Sequence, residues 1–464
     1  MNVKKRIWLV VYASCIMFPL SAQDSVMQFS VAEAREYAIE HNRDLQNAKK
    51  DVHIAEEQYK AARGQGLPQV NGKLDYMTNF NYEAELKFGS DDESSTPELD
   101  YTLFDQGDFE ILKLLESMSS SGPTTIKMTD QSNAQVQVSQ LIFGGQYWVG
   151  LKTAKIAQDL ARQNVTLTEL DVKESIENTY YMILVTEKIL NVLNKNIDNL
   201  EDIKEQTKNM YQAGLAEKVD VDQISISQSQ LENQKKAMER NIRLTYHMLH
   251  FQMGLDYDQE IELTDALDAL MDNLEISTKM ATSFDPAQHP QYQLLETQQK
   301  LQEKQIDMEK WAYGPTLTGF YTYTEKIMTS GFDLNPNNAA GLNLSIPIFS
   351  SGVRKANLDK ARIELDKAKR TKNMVKEQLL MQNNQLRFDL TNAFENYQTQ
   401  KENVDVAMRV YENVENKYKQ GLASSLDLTQ ANSNYLEAES NYLNAAMELM
   451  QANLKLDKLY SVCP

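Results

Sequence analysis

Cysteine is almost absent from these 464 residues: there are two, Cys15 and Cys463. No disulfide framework can brace the chain, so its stability must come from packing. Histidine is scarce too, with five in all. The only close pair is His247-x-x-His250, on one helix face, with neither a nearby cysteine nor a clear acidic partner, and a packed helix is the plainer reading than a metal site. Phosphate-cradling glycine loop, nucleophile elbow and zinc-hydrolase pattern are all missing, which speaks against an enzyme and leaves no cofactor to expect. Beyond the N-terminal leader no uninterrupted apolar run reaches about 18 residues, so no transmembrane helix is available. A basic surplus is missing as well. The net charge of −19 argues against nucleic acid or anionic headgroups as partners, and by itself describes a solvated surface.

What is there begins with a leader. Lys4, Lys5 and Arg6 precede an apolar stretch from Ile7 to Leu20 and a small-residue site at Ser21-Ala22-Gln23, so residues 1–22 read as a signal peptide. Lipidation would require Cys15 as the first mature residue, but Ile16, Met17 and Phe18 carry the apolar segment past it. An exported, hydrophilic chain that still enters a membrane does so as a closed β-barrel.

The chain is also a duplication. Tyr211-Gln-Ala-Gly214-Leu215-Ala216-Glu-Lys-Val219-Asp220-Val221-Asp-Gln223 recurs as Tyr418-Lys-Gln-Gly421-Leu422-Ala423-Ser-Ser-Leu426-Asp427-Leu428-Thr-Gln430. At nearly the same offset, Val138-Ser139-Gln-Leu141-Ile142-Phe143-Gly-Gly145 matches Leu344-Ser345-Ile-Pro347-Ile348-Phe349-Ser-Ser351. Two earlier anchors, His41-Asn42 with Leu45 against His289-Pro290 with Leu294 and Leu67-Pro68 against Gly314-Pro315, extend the repeat over nearly the whole mature chain.

The expected order is therefore the same in each half. The first repeat, 23–280, holds a helix over 31–63, strands near 67–80 and 134–143, a long helical hairpin over 147–254 and a connecting segment over 255–280. The second, 281–464, holds a helix over 286–313, strands near 315–325 and 340–349, and a hairpin over 352–460. Thr316-Leu317-Thr318-Gly319-Phe320-Tyr321-Thr322-Tyr323 shows the period-two pattern most clearly. From Tyr147 to Tyr211 and from Arg354 to Tyr418 there is no proline, and Ile176, Tyr180, Ile183, Leu184, Leu190, Leu193, Ile197, Leu200 and Ile203 keep an apolar stripe. At 1.5 Å per residue each such helix reaches about 100 Å, too long to bury its stripe except along other long helices.

Four membrane-length strands cannot close a barrel alone, because an open edge facing lipid leaves peptide groups unpaired. Two chains would give eight strands, a barrel filled by its own side chains, whereas three give twelve and a lumen. The strand count thus calls for a trimer.

The duplicated plan, the Leu344-Ser-Ile-Pro-Ile-Phe349 strand end and the paired Tyr-x-x-Gly-Leu-Ala tips resemble the TolC-like outer membrane efflux proteins over roughly residues 29 to 460. The resemblance implies a mainly α fold with a small β part: a trimeric helical barrel in the periplasm and a 12-stranded transmembrane β-barrel in the outer membrane of a Gram-negative bacterium. It implies a homotrimer that docks a periplasmic adaptor and an inner-membrane transporter, sits in outer-membrane lipid and passively conducts small molecules in multidrug export. The same duct could serve type I protein secretion, and a soluble periplasmic coiled-coil scaffold would account for the helices but not the strands. Arg43 departs from the proline usual in the family after Asn42, and the first strand loop, about 81–130, is long and carries Asp91, Asp92, Glu93, Glu98, Asp100, Asp105, Asp108 and Glu110.

Two sets of residues stand out. Gly214, Leu215 and Ala216, with Gly421, Leu422 and Ala423, read as glycine-capped helix ends, and by resemblance as tips that meet the adaptor. Glu412 and Glu415, together with Asp405, lie shortly before the second tip; repeated threefold they would form an entrance ring favouring cations, and otherwise they are a solvated helix face.

Overall fold

The computed structural model describes residues 26–78, 80, 82–86, 124–128, 130–274, 276–328 and 336–461. The leader, both cysteines and the acids of the first strand loop from Asp91 to Glu110 lie outside the described residues. The described elements run β1 (Met27–Phe29), α1 (Val31–His41), α2 (Arg43–Gly64), β2 (Gln69–Met77), β3 (Tyr82–Leu86), β4 (Thr124–Met128), β5 (Gln131–Gly144), α3 (Gly145–Gln212), α4 (Lys218–Met253) and β6 (Ile261–Leu263). The short α5 (Leu267–Asp272) and α6 (Ile276–Ala281) follow, then α7 (Pro290–Trp311), β7 (Thr316–Met328), β8 (Asn338–Ser345), α8 (Val353–Lys419) and α9 (Ser425–Tyr460). Among the described residues no helix is long and apolar enough to cross a membrane.

The single helix expected over 31–63 is two. Asn42 leaves the helical region with ψ 128° and its N–H still bonds Ala38 O, while its Oδ1 accepts from Leu45 N at 2.9 Å and so caps α2. Its Nδ2 donates to Gln252 O at 2.7 Å, tying the break to α4. The helix expected from 286 starts with a 3-10 turn, Pro286–Gln288, before α7.

The chain forms two compact units that cut across the duplication: one drawn from Met1–Val52, Leu160–Glu296 and Arg370–Pro464, the other from His53–Asp159 and Thr297–Lys369. In the first, Tyr180, Ile183, Leu249, Met253, Leu379, Leu390, Leu449 and Leu456 pack as one core. Tyr180 Oη donates to Phe29 O at 2.9 Å and accepts from Asp265 N at 3.2 Å, which anchors the parallel β1–β6 pair. A separate core gathers Leu193, Leu200, Ile203, Ile224, Tyr411, Tyr418 and Leu428 at the hairpin ends.

The second unit holds a four-stranded antiparallel sheet in the order β2-β5-β7-β8. Its register lines up Val70, Val138, Tyr321 and Ala340, then Gly72, Val136 and Tyr323. Side chains alternate across a strand, so one face carries Val70, Leu74, Val136, Val138, Leu342 and Leu344 and the other Asn71, Lys73, Gln135, Gln137, Thr322 and Asn343. In a sheet folded for water the apolar face is the covered one. Here it is open, with Val70 67%, Leu74 72% and Leu342 70% exposed. Among the described residues β2 pairs only with β5 and β8 only with β7, so the outer edge of each is unpaired. Where β5 runs into α3, Gly145 lies under the Trp311 indole so closely that a Cβ would come within 2.0 Å of it.

Candidate docking tips and entrance residues

Both hairpins turn by the same device. After α3, Gly214 adopts φ +74°, Leu215 N donates to Met210 O at 2.8 Å and Gly214 N to Tyr211 O at 3.0 Å. After α8, Gly421 adopts φ +71°, Leu422 N donates to Lys417 O at 2.8 Å and Gly421 N to Tyr418 O at 2.9 Å. Each is a Schellman end, in which a residue free to take positive φ satisfies the last carbonyls of the helix. The next helix starts four residues after each glycine. Asp220 Oδ2 accepts from Glu217 N at 2.9 Å, and Asp427 Oδ2 accepts from Ser424 N at 2.9 Å while Ser424 Oγ accepts from Asp427 N at 3.1 Å. The Ser424 hydroxyl, donating to Asp427 Oδ2 at 2.7 Å, and then the Ser424 amide hold the Asp427 carboxyl below its ordinary range.

This wiring leaves one side chain in each turn with nothing to cover it. Leu215 is 75% exposed and Leu422 72%, whereas Ala216 and Ala423 are half-buried and Ala423 packs on the hairpin-end core.

The two tips also hold each other. Ser425 Oγ donates to Asp220 Oδ1 at 2.5 Å, and Thr207 Oγ1 and Tyr418 Oη share a buried hydrogen bond of 2.6 Å. Sequence reasoning singled out neither pair. Asp220 and Asp427, like Tyr211 and Tyr418, are visible as matched repeat positions, but the match carries no sign that only Tyr418 turns inward while Tyr211 stays exposed.

Glu415 and Glu412 stand on α8 roughly two turns before the second tip, and Asp405 roughly four. Glu415 Oε1 accepts from Lys419 Nζ at 2.9 Å; Glu412 and Asp405 are exposed. Between them Tyr411 is buried, stacked 5.8 Å from Tyr435, and burial pushes its hydroxyl pKa up to about 12. His247 stacks on Tyr257 at 4.1 Å, with His250 6.2 Å away, and no group of three potential metal ligands occurs among the described residues.

Comparison with known proteins follows this architecture. Residues 287–461 match the family described as Outer membrane efflux protein. No curated relative matches the chain. Among solved structures, the outer membrane protein VceC from Vibrio cholerae superposes with a TM-score of 0.67 at 15% identity, covering 93% of this chain and 96% of that one. The Campylobacter jejuni CmeC outer membrane channel gives 0.69 at 14% identity, over 93% and 85% of the two chains. The open state of the Neisseria gonorrhoeae MtrE outer membrane channel gives 0.67 at 15%, over 93% and 88%. Likeness at this identity establishes the fold over nearly the full length.

Proposed function

Because residues 287–461 belong to the outer membrane efflux protein family and the chain has the fold of such channels along nearly its whole length, we propose that it is an outer-membrane exit duct, working as a trimer. The observation that carries this reading is the four-stranded sheet, apolar and exposed on one face, polar on the other, and open at both edges. In hydrocarbon each unpaired peptide group costs several kcal/mol, so β2 of one copy must find β8 of the next. Three copies close twelve strands around a polar lumen, with Val70, Leu74 and Leu342 turned to lipid.

The duct conducts passively. Its long hairpins project into the periplasm, where Gly214-Leu215-Ala216 and Gly421-Leu422-Ala423 engage a periplasmic adaptor, and an inner-membrane transporter supplies the energy. Glu412 and Glu415, repeated three times, bias the entrance toward cations.

One preparation tests the whole reading. In a Cys463→Ser background, cysteines replacing Asn71 in β2 and Asn343 in β8 are expected to link separate copies into a ladder that ends at three, and the purified protein to conduct in planar bilayers. Cation preference is expected to fall with Glu412→Gln and Glu415→Gln together. Unlinked monomers that never insert would sink the duct; unchanged selectivity would remove only the acid ring.

A further inference from the structure

Two tryptophans follow the leader, Trp148 and Trp311, and both stand where the sheet gives way to helices. Phe143 is in register with Leu317, and Leu317 with Leu344, so Phe143 belongs to the apolar face. The Trp311 ring meets Phe143 edge-on at 6.2 Å and covers Gly145. Trp148 lies about one helical turn beyond Gly145 and so shares the side of α3 that Trp311 covers. Trp148 is 57% and Trp311 43% exposed, and the Trp148 indole N–H has no hydrogen-bond partner among the described residues. In the link from β8 to α8, Ile348 and Phe349, repeat mates of Ile142 and Phe143, are almost wholly exposed.

This apolar shelf decides where a membrane stands on the sheet. A barrel presents an apolar band of about 25 Å, and a strand tilted by about 40° climbs about 2.6 Å per residue. Counted from Phe143 and Leu317 away from the helices, such a band passes Glu325, which shares a face with Tyr321 and Tyr323. It also leaves Trp148, Ile348 and Phe349 in water. Set about 10 Å closer to the helices, the reach of the chain from Phe143 to Trp148, the band instead ends at Tyr323, whose hydroxyl donates to the Glu325 carboxylate at 2.5 Å. Glu325 then stands in the polar zone, Leu342, in register with Gly319, falls near the midplane, and the exposed rings of the shelf leave water. Gln140, beside Gly319, interrupts the apolar face in either setting.

We propose that the periplasmic boundary of the bilayer lies beyond the strands, on the first turn of α3, and that Trp148 and Trp311 are phospholipid contacts there. Trp311 lies among acyl chains, and Trp148 stands at the glycerol level, its indole N–H donating to an ester carbonyl of a glycerophospholipid. A ring with an apolar body and one free donor suits a level that is dry on one side and wet on the other. The inference rests on the duct reading above and deepens it by fixing the depth of insertion.

The test reads the two indoles in the full mature chain, reconstituted in phosphatidylcholine vesicles that carry bromine near the glycerol end of the acyl chains, at mid-chain, or not at all. Bromine quenches tryptophan on contact, so Trp148→Phe reports Trp311 and Trp311→Phe reports Trp148. Should Trp311→Phe not fold, Trp148 is read as the difference between the wild type and Trp148→Phe. Emission from Trp148 is expected to fall by at least half with glycerol-end bromine, and that from Trp311 by at least half with mid-chain bromine. Trp148 unquenched by either lipid, or quenched at greater depth than Trp311, would overturn the boundary. A chain that conducts in these vesicles with Trp148 unquenched loses the boundary and keeps the duct, whereas one that never conducts fails the earlier reading.

Discussion

Asp220 serves two helices with one carboxylate. Oδ2 accepts the amide that opens α4, and Oδ1 accepts the Ser425 hydroxyl at the opposite tip. Asp427, its repeat mate, spends the same carboxylate on a single helix start, taking both the amide and the hydroxyl of Ser424. These bonds favour the ionised form, so the folded pKa of Asp427 lies below its unfolded value. The sign follows: the stabilisation is fully present above the ordinary aspartate range and is lost as pH falls through the depressed folded value. Protection of the amides of residues 424–428 against hydrogen exchange, corrected for intrinsic rate, is therefore expected to weaken between about pH 5 and pH 2. Asp427→Asn is expected to flatten that dependence; an acid limb unchanged in the variant would place the titrating group elsewhere.

At the scale of the element, the tips separate conformation from contact. Gly214 and Gly421 hold positive φ with nothing within 4 Å of an added Cβ, so Gly421→Ala meets backbone strain and no clash. A loss of about 1–2 kcal/mol in unfolding free energy is expected, measured in denaturant. Leu422 touches little of its own chain, so Leu215→Ser with Leu422→Ser is expected to move stability by less than about 0.5 kcal/mol while the proposed adaptor contact is lost, the reverse of the glycine variant.

Elements of this kind were legible in advance, because proline, glycine and period-two alternation act locally. The kink at Asn42 was not. The segment 31–63 keeps helical composition throughout, and the break depends on Asn42 Nδ2 reaching Gln252 O, some two hundred positions along the chain. The cross-tip bonds stayed hidden for the same reason: Thr207, Tyr418, Asp220 and Ser425 meet only when both hairpins are packed.

At the scale of the whole molecule, the assignment of faces in the sheet decides whether the proposed duct inserts. Leu342 and Asn343 are consecutive in β8 and point to opposite sides. Leu342→Arg is expected to cost about 2–4 kcal/mol if it lies near the bilayer midplane, read as reduced insertion into vesicles. Asn343→Arg, on the polar side, is expected to insert normally and to alter single-channel conductance. Equal effects from the two would reverse or abolish the proposed lipid face.

The sheet order also sets a timetable. Its central seam joins β5 to β7, between which the chain places α3 to α7 and β6. In the proposed duct, a polypeptide crossing the inner membrane N-terminus first delivers β2 and β5 long before β7, so the earlier pair waits with β5 unshielded while more than a hundred residues follow. Closing so distant a contact is slow, and an unshielded strand is what invites pairing with the wrong chain. The waiting pair is thus the point in biogenesis most open to misassembly, and the point at which a periplasmic holdase has most to protect.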